Sequence, residues 1–422
     1  MPWACVPWED HVSKNGDKLT KCAEHGVWTS PPAPPAGQKP LDFSAIDADE
    51  DQRIVSSGKM SFAMVGCSGD PETRTNTGAV AEAITAANDT SFFYHLGDII
   101  YSEKGSDVTT DGSDGDETPS LWNSQFYAPY TNYPKRIVSI PRNHDGKSTP
   151  ITNYLEAFCS DASKWPVPWM GNTTDQRPAM IQPYVYWRLD TPLAYIVGLY
   201  SNIVNGGMLD DPTAYADFTR GPQYQWLVGE LKTVAAANSQ NSPKKAVLLA
   251  VHYPPYSGAS NFNVRGDPSQ GPTPNAANAP YLALALQRAF VDSGQRPDAI
   301  FSAHAHLFQR LTYIFADGTV MPCLVAGCGG HSPLEVLSDQ CDGESGASQV
   351  APFPAVTLGS FQFPVGDSAQ VEHYEDNNSD DGEFGFVKVM IEARTLTCQF
   401  IGATSHKTLD EFNLDLDSHK YH

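Results

Sequence analysis

The chain has 422 residues, of which 41% are hydrophobic and 18% charged, and this composition predicts a folded globular protein rather than a disordered one. A formal net charge of -22 argues against nucleic acids and anionic membranes as partners, because the protein would repel both. The charge still allows a small anionic substrate, since bound metal ions can reverse the sign of the potential locally.

The start of the chain lacks the features of a signal peptide. Residues 1–5 begin neither a basic segment nor an apolar one, and no apolar run is long enough to span a membrane. The eight cysteines form no C-x-x-C pair and fit either a reduced cytosol or a few secreted disulfides. We therefore expect no membrane association and slightly favour a cytoplasmic over a secreted protein.

In chain order, an irregular extension precedes one large domain. Residues 1–57 are predicted to be irregular: they contain the proline-rich run Pro31–Pro35, which is typical of a linker, and after it the acidic run Asp47–Asp51. Residues 58–422 are predicted to form the domain, with the last strands of the chain completing its sheets. The sequence does not indicate an oligomeric state.

Short apolar runs alternate with helical patterns through this domain. Helices are predicted around Ala79–Ala87, Pro222–Ala237 and Tyr281–Val291. Strands are predicted at Phe62–Val65, Phe92–Leu96, Arg136–Ile140, Tyr184–Asp190, Leu193–Leu199, Ala246–Val251, Ala299–Ser302, Thr312–Phe315, Thr319–Ala326, Glu383–Glu392 and Thr395–Phe400. Helix-linked strands followed by antiparallel ones predict an α/β (α+β) fold, a layered β-sandwich of mixed sheets flanked by helices.

Four of these strands are each followed by side chains that can bind a metal ion. The residues are Asp98, the run Asn143, His144 and Asp145, then His252, and finally His304 and His306. Sites in sheets flanked by helices form at the carboxyl ends of the strands, so these side chains are expected to converge around one point. Carboxylate, amide and imidazole together suit Zn, Mn or Fe better than Ca.

The order of these motifs resembles the calcineurin-like metallophosphoesterase family. The resemblance runs over about residues 59–330 and rests on Gly97-Asp98-Ile99-Ile100-Tyr101, Asn143-His144-Asp145, His252 and His304-Ala305-His306. The spacing to Tyr101 and the position of Gly69 are similar to the purple-acid-phosphatase branch. The resemblance implies a metal-dependent hydrolase of phosphate mono- or diesters, acting on a small-molecule phosphate ester.

The resemblance also implies a role for each motif residue. Two divalent or mixed-valence transition metals, Fe, Zn or Mn, would be bound; Asp98 would bridge them, Asn143, His252 and His304 would complete the second, and His306 and Tyr101 would bind the first. His144 would contact the scissile phosphate, and Asp145 would orient the His144 ring. A metal-bound hydroxide would then attack phosphorus in line.

Three positions depart from the family pattern. Cys67 stands where the family carries a first-metal aspartate, Arg142 replaces a glycine before Asn143, and Ala303 replaces a glycine before His304. A thiolate can bind Zn or Fe, but the sequence favours the interpretation of Cys67 as a small buried thiol in the core. We therefore expect weaker binding at the first site, unless Cys67 or Asp70 serves as the missing ligand.

These departures leave open both the role of Arg142 and the activity of the protein. Arg142 either contacts the substrate phosphate, since a guanidinium matches phosphate geometry, or is a solvated side chain. The protein is then either an active hydrolase, a degenerate relative that binds metal or a phosphate ligand with little turnover, or an enzyme with one metal ion only. Metal stoichiometry and turnover of an aryl phosphate distinguish these hypotheses.

Overall fold

The computed structural model describes most of the domain and little of the first 36 residues. The described residues are 34, 37–70, 75–101, 119–141, 151–160, 181–201, 209–210, 217–258, 273–274, 281–335, 351–352, 357–358, 360–375 and 382–422. Within these ranges, no helix combines the length and the apolar character that crossing a bilayer requires.

Helices and strands alternate in the first part of the described chain, and strands dominate its end. The α-helices are α1 (Ala48–Ser57), α2 (Thr75–Ala86), α3 (Pro119–Trp122), α4 (Thr152–Phe158), α5 (Pro222–Asn238) and α6 (Tyr281–Ser293), with a π-helical turn at Asn123–Tyr127 and 3-10 turns at Phe43–Ala45 and Phe218–Arg220. The strands are β1 (Leu41–Asp42), β2 (Lys59–Val65), β3 (Phe92–His95), β4 (Arg136–Ser139), β5 (Trp187–Asp190), β6 (Ala194–Leu199), β7 (Ala246–Val251), β8 (Tyr256–Ser257), β9 (Thr273–Pro274), β10 (Ala299–Ser302), β11 (Phe308–Ile314), β12 (Val320–Ala326), β13 (Ala351–Pro352), β14 (Thr357–Leu358), β15 (Phe361–Gln362), β16 (Ser368–Glu375), β17 (Gly385–Glu392), β18 (Thr395–Gly402), β19 (Thr408–Asp415) and β20 (Lys420–Tyr421).

Two large mixed sheets contain most of the described strands. One has the order β1-β5-β6-β7-β10-β12-β11-β16-β13, and the other has the order β20-β19-β18-β17-β2-β3-β4. In the first sheet β6, β7, β10 and β12 run parallel, and in the second β2, β3 and β4 run parallel. The predicted fold class is therefore confirmed: two mixed sheets with helices on their outer faces.

The main core lies between the two sheets. Phe308 of the first sheet stacks on Phe400 of the second with ring centroids 4.1 Å apart, and Tyr94 packs against Trp187 at 5.9 Å. Two further apolar clusters lie under the helices on the outer faces of the sheets. Since each sheet is buried on both faces at its centre, the parallel strands are almost wholly apolar.

The expectation of an irregular segment through residue 57 is wrong for residues 41–57. Leu41 pairs with Leu189 of β5, and α1 begins at the cap Asp47, whose carboxylate accepts the N–H of Glu50. Ile54 of this helix is buried in the core. The acidic run Asp47–Asp51 begins this helix, because acidic residues are favoured at the cap and in the first turn of a helix.

The strands also continue beyond the last one predicted. β19 follows β18, but its alternation is obscured because Asp410 occupies an inward position. Asp410 is buried there in an ion pair with Arg310 of the other sheet, with Nε and Oδ2 2.7 Å apart. A polar residue at an inward position conceals the period of two on which the sequence prediction relies.

Candidate metal centre

The candidate site lies where the parallel strands of both sheets end. Cys67 follows β2 and Asp98 follows β3 in one sheet, while His252 follows β7 and His304 follows β10 in the other. The carboxyl ends of these strands meet at the same edge of the sandwich, as expected for parallel strands in sheets flanked by helices. Residues that are far apart in sequence are thereby brought together.

Three of the candidate ligands have a strained backbone. Cys67, Asp98 and His304 have φ angles of 54°, 58° and 67°, the left-handed region that residues other than glycine rarely adopt. Each such residue costs about 1–3 kcal/mol, and this strain concentrates at functional sites. The turn allows each side chain to leave its strand at the tip and face the neighbouring tips.

A glycine allows these tips to approach each other. A Cβ at Gly66 would lie 2.6 Å from the Cβ of Ala303 and 2.9 Å from the carbonyl oxygen of Gly97. Both neighbours are rigid, so a larger residue at position 66 would force the β2 and β10 tips apart. Ala303, one of the departures from the family pattern, is accommodated because Gly66 has no side chain.

The first cluster consists of Cys67, Asp98 and His306, whose donor atoms all lie within 4.8 Å of one another. The sulfur of Cys67 lies 3.6 Å from Oδ2 of Asp98 and accepts the backbone N–H of His304 at 3.2 Å. Tyr101 donates its hydroxyl hydrogen bond to Asp98, and its oxygen lies 3.1 Å from Nε2 of His306. The phenol therefore lies directly beside the first cluster.

The second cluster consists of Asp98, His252 and His304, again with all donor atoms within 4.8 Å of one another. Nε2 of His252 lies 3.8 Å from Oδ2 of Asp98. Nδ1 of His252 donates to the carbonyl of Leu96 at 2.6 Å, which fixes the ring with Nε2 toward the carboxylate. The ring of Tyr253 packs on that of His304 at a centroid distance of 3.7 Å.

The donor sets fit transition metal ions. Asp98 belongs to both clusters and is fully buried, so its carboxylate is available to an ion in either cluster. Imidazole, carboxylate and thiolate are the protein ligands of zinc and iron, and the hydrogen bond behind His252 is typical of a metal-binding histidine. The two clusters therefore fit two neighbouring ions.

Four predicted site residues lie outside the described residues: Arg142, Asn143, His144 and Asp145. Their positions and roles therefore stay predictions. Asp70, the alternative ligand, is buried, but within the described part of the chain it belongs to neither cluster. Cys67 is thus the residue that stands in the first cluster at the place of the family aspartate.

Two residues that sequence reasoning missed support the site. Nδ1 of His95 accepts the N–H of Gly97 at 3.1 Å, so Nε2 donates to the hydroxyl of Ser68 at 2.7 Å. Burial lowers the pKa of His95 to about 3, so the ring stays neutral and holds the β2 and β3 tips together.

The amide of Gln125 accepts the N–H of Tyr101 at 2.8 Å and donates to the Tyr101 carbonyl at 2.7 Å. His95 lies two residues before the motif that begins at Gly97, whereas Gln125 carries no sequence signal.

Comparison with known proteins gives structural neighbours but no sequence relatives. No protein-family model and no curated protein matches the chain. The purple acid phosphatase PPD1 from yellow lupin (Lupinus luteus) superimposes with a TM-score of 0.50 at 13% identity, over 85% of this chain and 54% of that one. GAP50, the anchor in the inner membrane complex of Plasmodium, gives 0.50 at 12% identity over 85% and 89%. PhoD gives 0.46 at 12% identity over 86% and 71%.

The lupin phosphatase and GAP50 establish the architecture. The chain shares the fold of a purple acid phosphatase, as the order of its motifs predicts. It spans about half the length of the lupin phosphatase, and identities of 12–13% establish the fold alone.

Proposed function

We propose that this protein is a metal-dependent hydrolase of phosphate mono- or diesters. The observation that carries the proposal is that Asp98 is shared by two convergent clusters at one edge of a metallophosphoesterase fold. A carboxylate shared in this way would hold two ions close together, as a two-metal hydrolytic site requires, and a purely structural carboxylate has no need of two separate sets of imidazole and thiol neighbours.

The proposed ligands follow the two clusters. Cys67, Asp98 and His306, with the phenol of Tyr101, would hold one ion. Asp98, His252 and His304 would hold the other, together with Asn143 as the family resemblance predicts. Two such ions, when bound, supply an activated water and neutralise negative charge that develops at phosphorus.

The protein itself fixes the geometry in which that chemistry would occur. Cys67, Asp98 and His252 are fully buried, so their positions do not depend on solvent. His252 cannot turn without losing its hydrogen bond to Leu96, and Asp98 cannot turn without losing the phenol of Tyr101. The binding geometry is thus preorganised, which lowers the cost of assembling the site.

The acidic character of the protein is compatible with this function. A net charge of -22 repels anions at long range. Two bound cations would create a local positive potential at the strand tips, where an ester phosphate is expected to bind. His144 would contact the phosphate, as the family resemblance implies, and Arg142 would add a contact unless it is a solvated side chain.

Protein purified without chelator provides the test. We expect up to two Fe, Zn or Mn ions per chain by elemental analysis, and hydrolysis of para-nitrophenyl phosphate or its bis ester. His252→Ala should abolish turnover and remove one ion. His373→Ala is the matched control, because His373 pairs with Glu375 on β16 and belongs to neither cluster. Full activity in His252→Ala would refute the assignment.

The alternative is a protein that binds metal without turnover. GAP50 shares the fold and is the anchor in the inner membrane complex of Plasmodium, which supports a binding role as the alternative. Protein that holds two ions and hydrolyses neither ester would favour this alternative. A single ion with turnover would instead support the mononuclear hypothesis.

A further inference from the structure

The glycine-rich segment Gly327–Gly330, which follows β12, lies against the tip of β2. The N–H of Gly329 donates to the carbonyl of Gly66 at 3.1 Å, and the N–H of His331 donates to the carbonyl of Cys67 at 3.0 Å. These bonds connect the two sheets directly behind the first cluster. These backbone hydrogen bonds therefore place His331 beside the first cluster.

The segment cannot carry another side chain at its last position. Gly330 has a φ of 135°, and a Cβ there would lie 2.6 Å from the backbone of Thr77. The chain therefore turns through a glycine-only conformation immediately before His331. This turn and the hydrogen bond to the Cys67 carbonyl together fix the position of the His331 main chain, from which the imidazole extends.

The imidazole of His331 lies flat on the phenol ring of Tyr101. The ring centroids are 3.7 Å apart and the planes are 16° from parallel. Nδ1 of His331 lies 2.8 Å from the carbonyl oxygen of Gly69 and donates to it, and this hydrogen bond fixes the orientation of the imidazole ring. The edge of His306 completes the contact at a centroid distance of 4.6 Å.

We propose that His331 is a positioning residue that holds the phenol of Tyr101 in the first cluster. Gln125 fixes only the main chain of Tyr101, and the hydrogen bond to Asp98 holds only the hydroxyl end of its ring. The stack on His331 restricts rotation of the ring and keeps the phenol oxygen on Asp98 and beside His306. The proposal rests on the proposed function in one respect, namely that Tyr101 contributes to metal binding.

Two substitutions separate the stacking role from a merely structural role of the loop. His331→Phe keeps a flat ring but loses the donor to Gly69, whereas His331→Asn keeps a donor but loses the ring. The measured quantity is the binding affinity of the first-cluster metal ion. That ion is identified as the one that Cys67→Ala no longer binds. We expect a loss of roughly three- to tenfold in the Asn variant and near wild-type affinity in the Phe variant. The opposite pattern would show that His331 only anchors its loop.

A double-substitution cycle tests whether the effect passes through Tyr101. In a Tyr101→Phe background, His331→Asn should no longer change the metal affinity, because the phenol oxygen is absent. After loading with ferric iron, the visible band of an iron-bound phenolate should weaken in His331→Asn and persist in His331→Phe. An undiminished effect in the Tyr101→Phe background would overturn the proposal.

A metal-free measurement keeps the proposal independent of the proposed function. In protein labelled with 3-fluorotyrosine, Tyr101→Phe identifies the Tyr101 fluorine resonance. That resonance should move in His331→Asn and stay ring-shifted in His331→Phe. If wild-type protein binds no metal but the resonance behaves as described, the proposed function fails and the positioning of Tyr101 stands. A resonance that is insensitive to His331→Asn would refute the stacking role.

Discussion

Removing the amide of Gln125 should weaken both the fold and the metal centre. Gln125 lies in the π-helical turn Asn123–Tyr127, and a π-turn inside a helix is frequent near functional sites. Its amide pairs with the N–H and the carbonyl of Tyr101 as a neighbouring strand would, at 2.8 and 2.7 Å. Gln125→Leu keeps the approximate size of the side chain and removes both hydrogen bonds.

The magnitude follows from burial. Gln125 is fully buried and Tyr101 is 5% exposed, so water cannot easily replace the lost amide. Each buried backbone group left without a partner costs about 1–3 kcal/mol, and the apolar leucine offsets part of that. We expect the free energy of unfolding to fall by about 2–4 kcal/mol in total. Because Tyr101 loses its anchor, affinity for the first-cluster metal should fall about tenfold, which corresponds to about 1.4 kcal/mol.

Gln223→Leu is the matched control. Gln223 makes the same two bonds to Tyr200, at 2.8 and 2.7 Å, and a third bond to the carbonyl of Leu209, and the described residues of this segment include no candidate ligand. Urea unfolding should show a loss of stability in both variants that is at least as large for Gln223→Leu, while metal titration should show weaker binding only for Gln125→Leu. Equal metal affinity in the two variants would refute the reasoning that Tyr101 acts through its anchored main chain.

Two further outcomes follow from the clusters and from one ion pair. Cys67→Ala should lose one bound ion per chain and His252→Ala the other, whereas Asp98→Asn should lose both. Elemental analysis gives the number of ions in each variant. Two ions retained in Cys67→Ala would exclude the thiol as a ligand. The hydrogen bond to Asp298 raises the pKa of His419 above its usual 6.5. This pair should stabilise the fold fully below pH 6.5 and lose that contribution as the pH rises through the raised pKa. The difference in unfolding midpoint between wild type and His419→Gln should therefore shrink toward high pH, and a constant difference would contradict the linkage.

The sequence alone determined the parallel strands and the residues at their tips. The strands β7 and β10 have the predicted bounds, because a short apolar run followed within two residues by a histidine leaves little choice of boundary. The convergence of Asp98, His252 and His304 followed from the same pattern, since ligands at the ends of parallel strands share one edge. The predicted convergence of these three is confirmed, while that of Asn143 stays a prediction.

Other elements could not be predicted because their local pattern conflicts with their tertiary role. Strand β16, Ser368–Glu375, alternates weakly, and its partner β11 lies more than fifty residues earlier in the chain. The inward Asp410 looks like a surface residue until Arg310 of the other sheet is placed beside it. A single sequence does not show which distant group will pair with a buried charge.

The environment of Cys67 was decided by tertiary structure alone. Its sequence context allows both a core thiol and a ligand, and the structure gives it both surroundings. It belongs to the apolar core cluster, yet its sulfur faces Asp98 and accepts the N–H of His304. The same holds for His331, which follows a plain glycine-rich turn in the sequence and stacks on Tyr101 in the fold. These contacts join residues about 240 and 230 positions apart, and only the docking of two sheets against each other creates them.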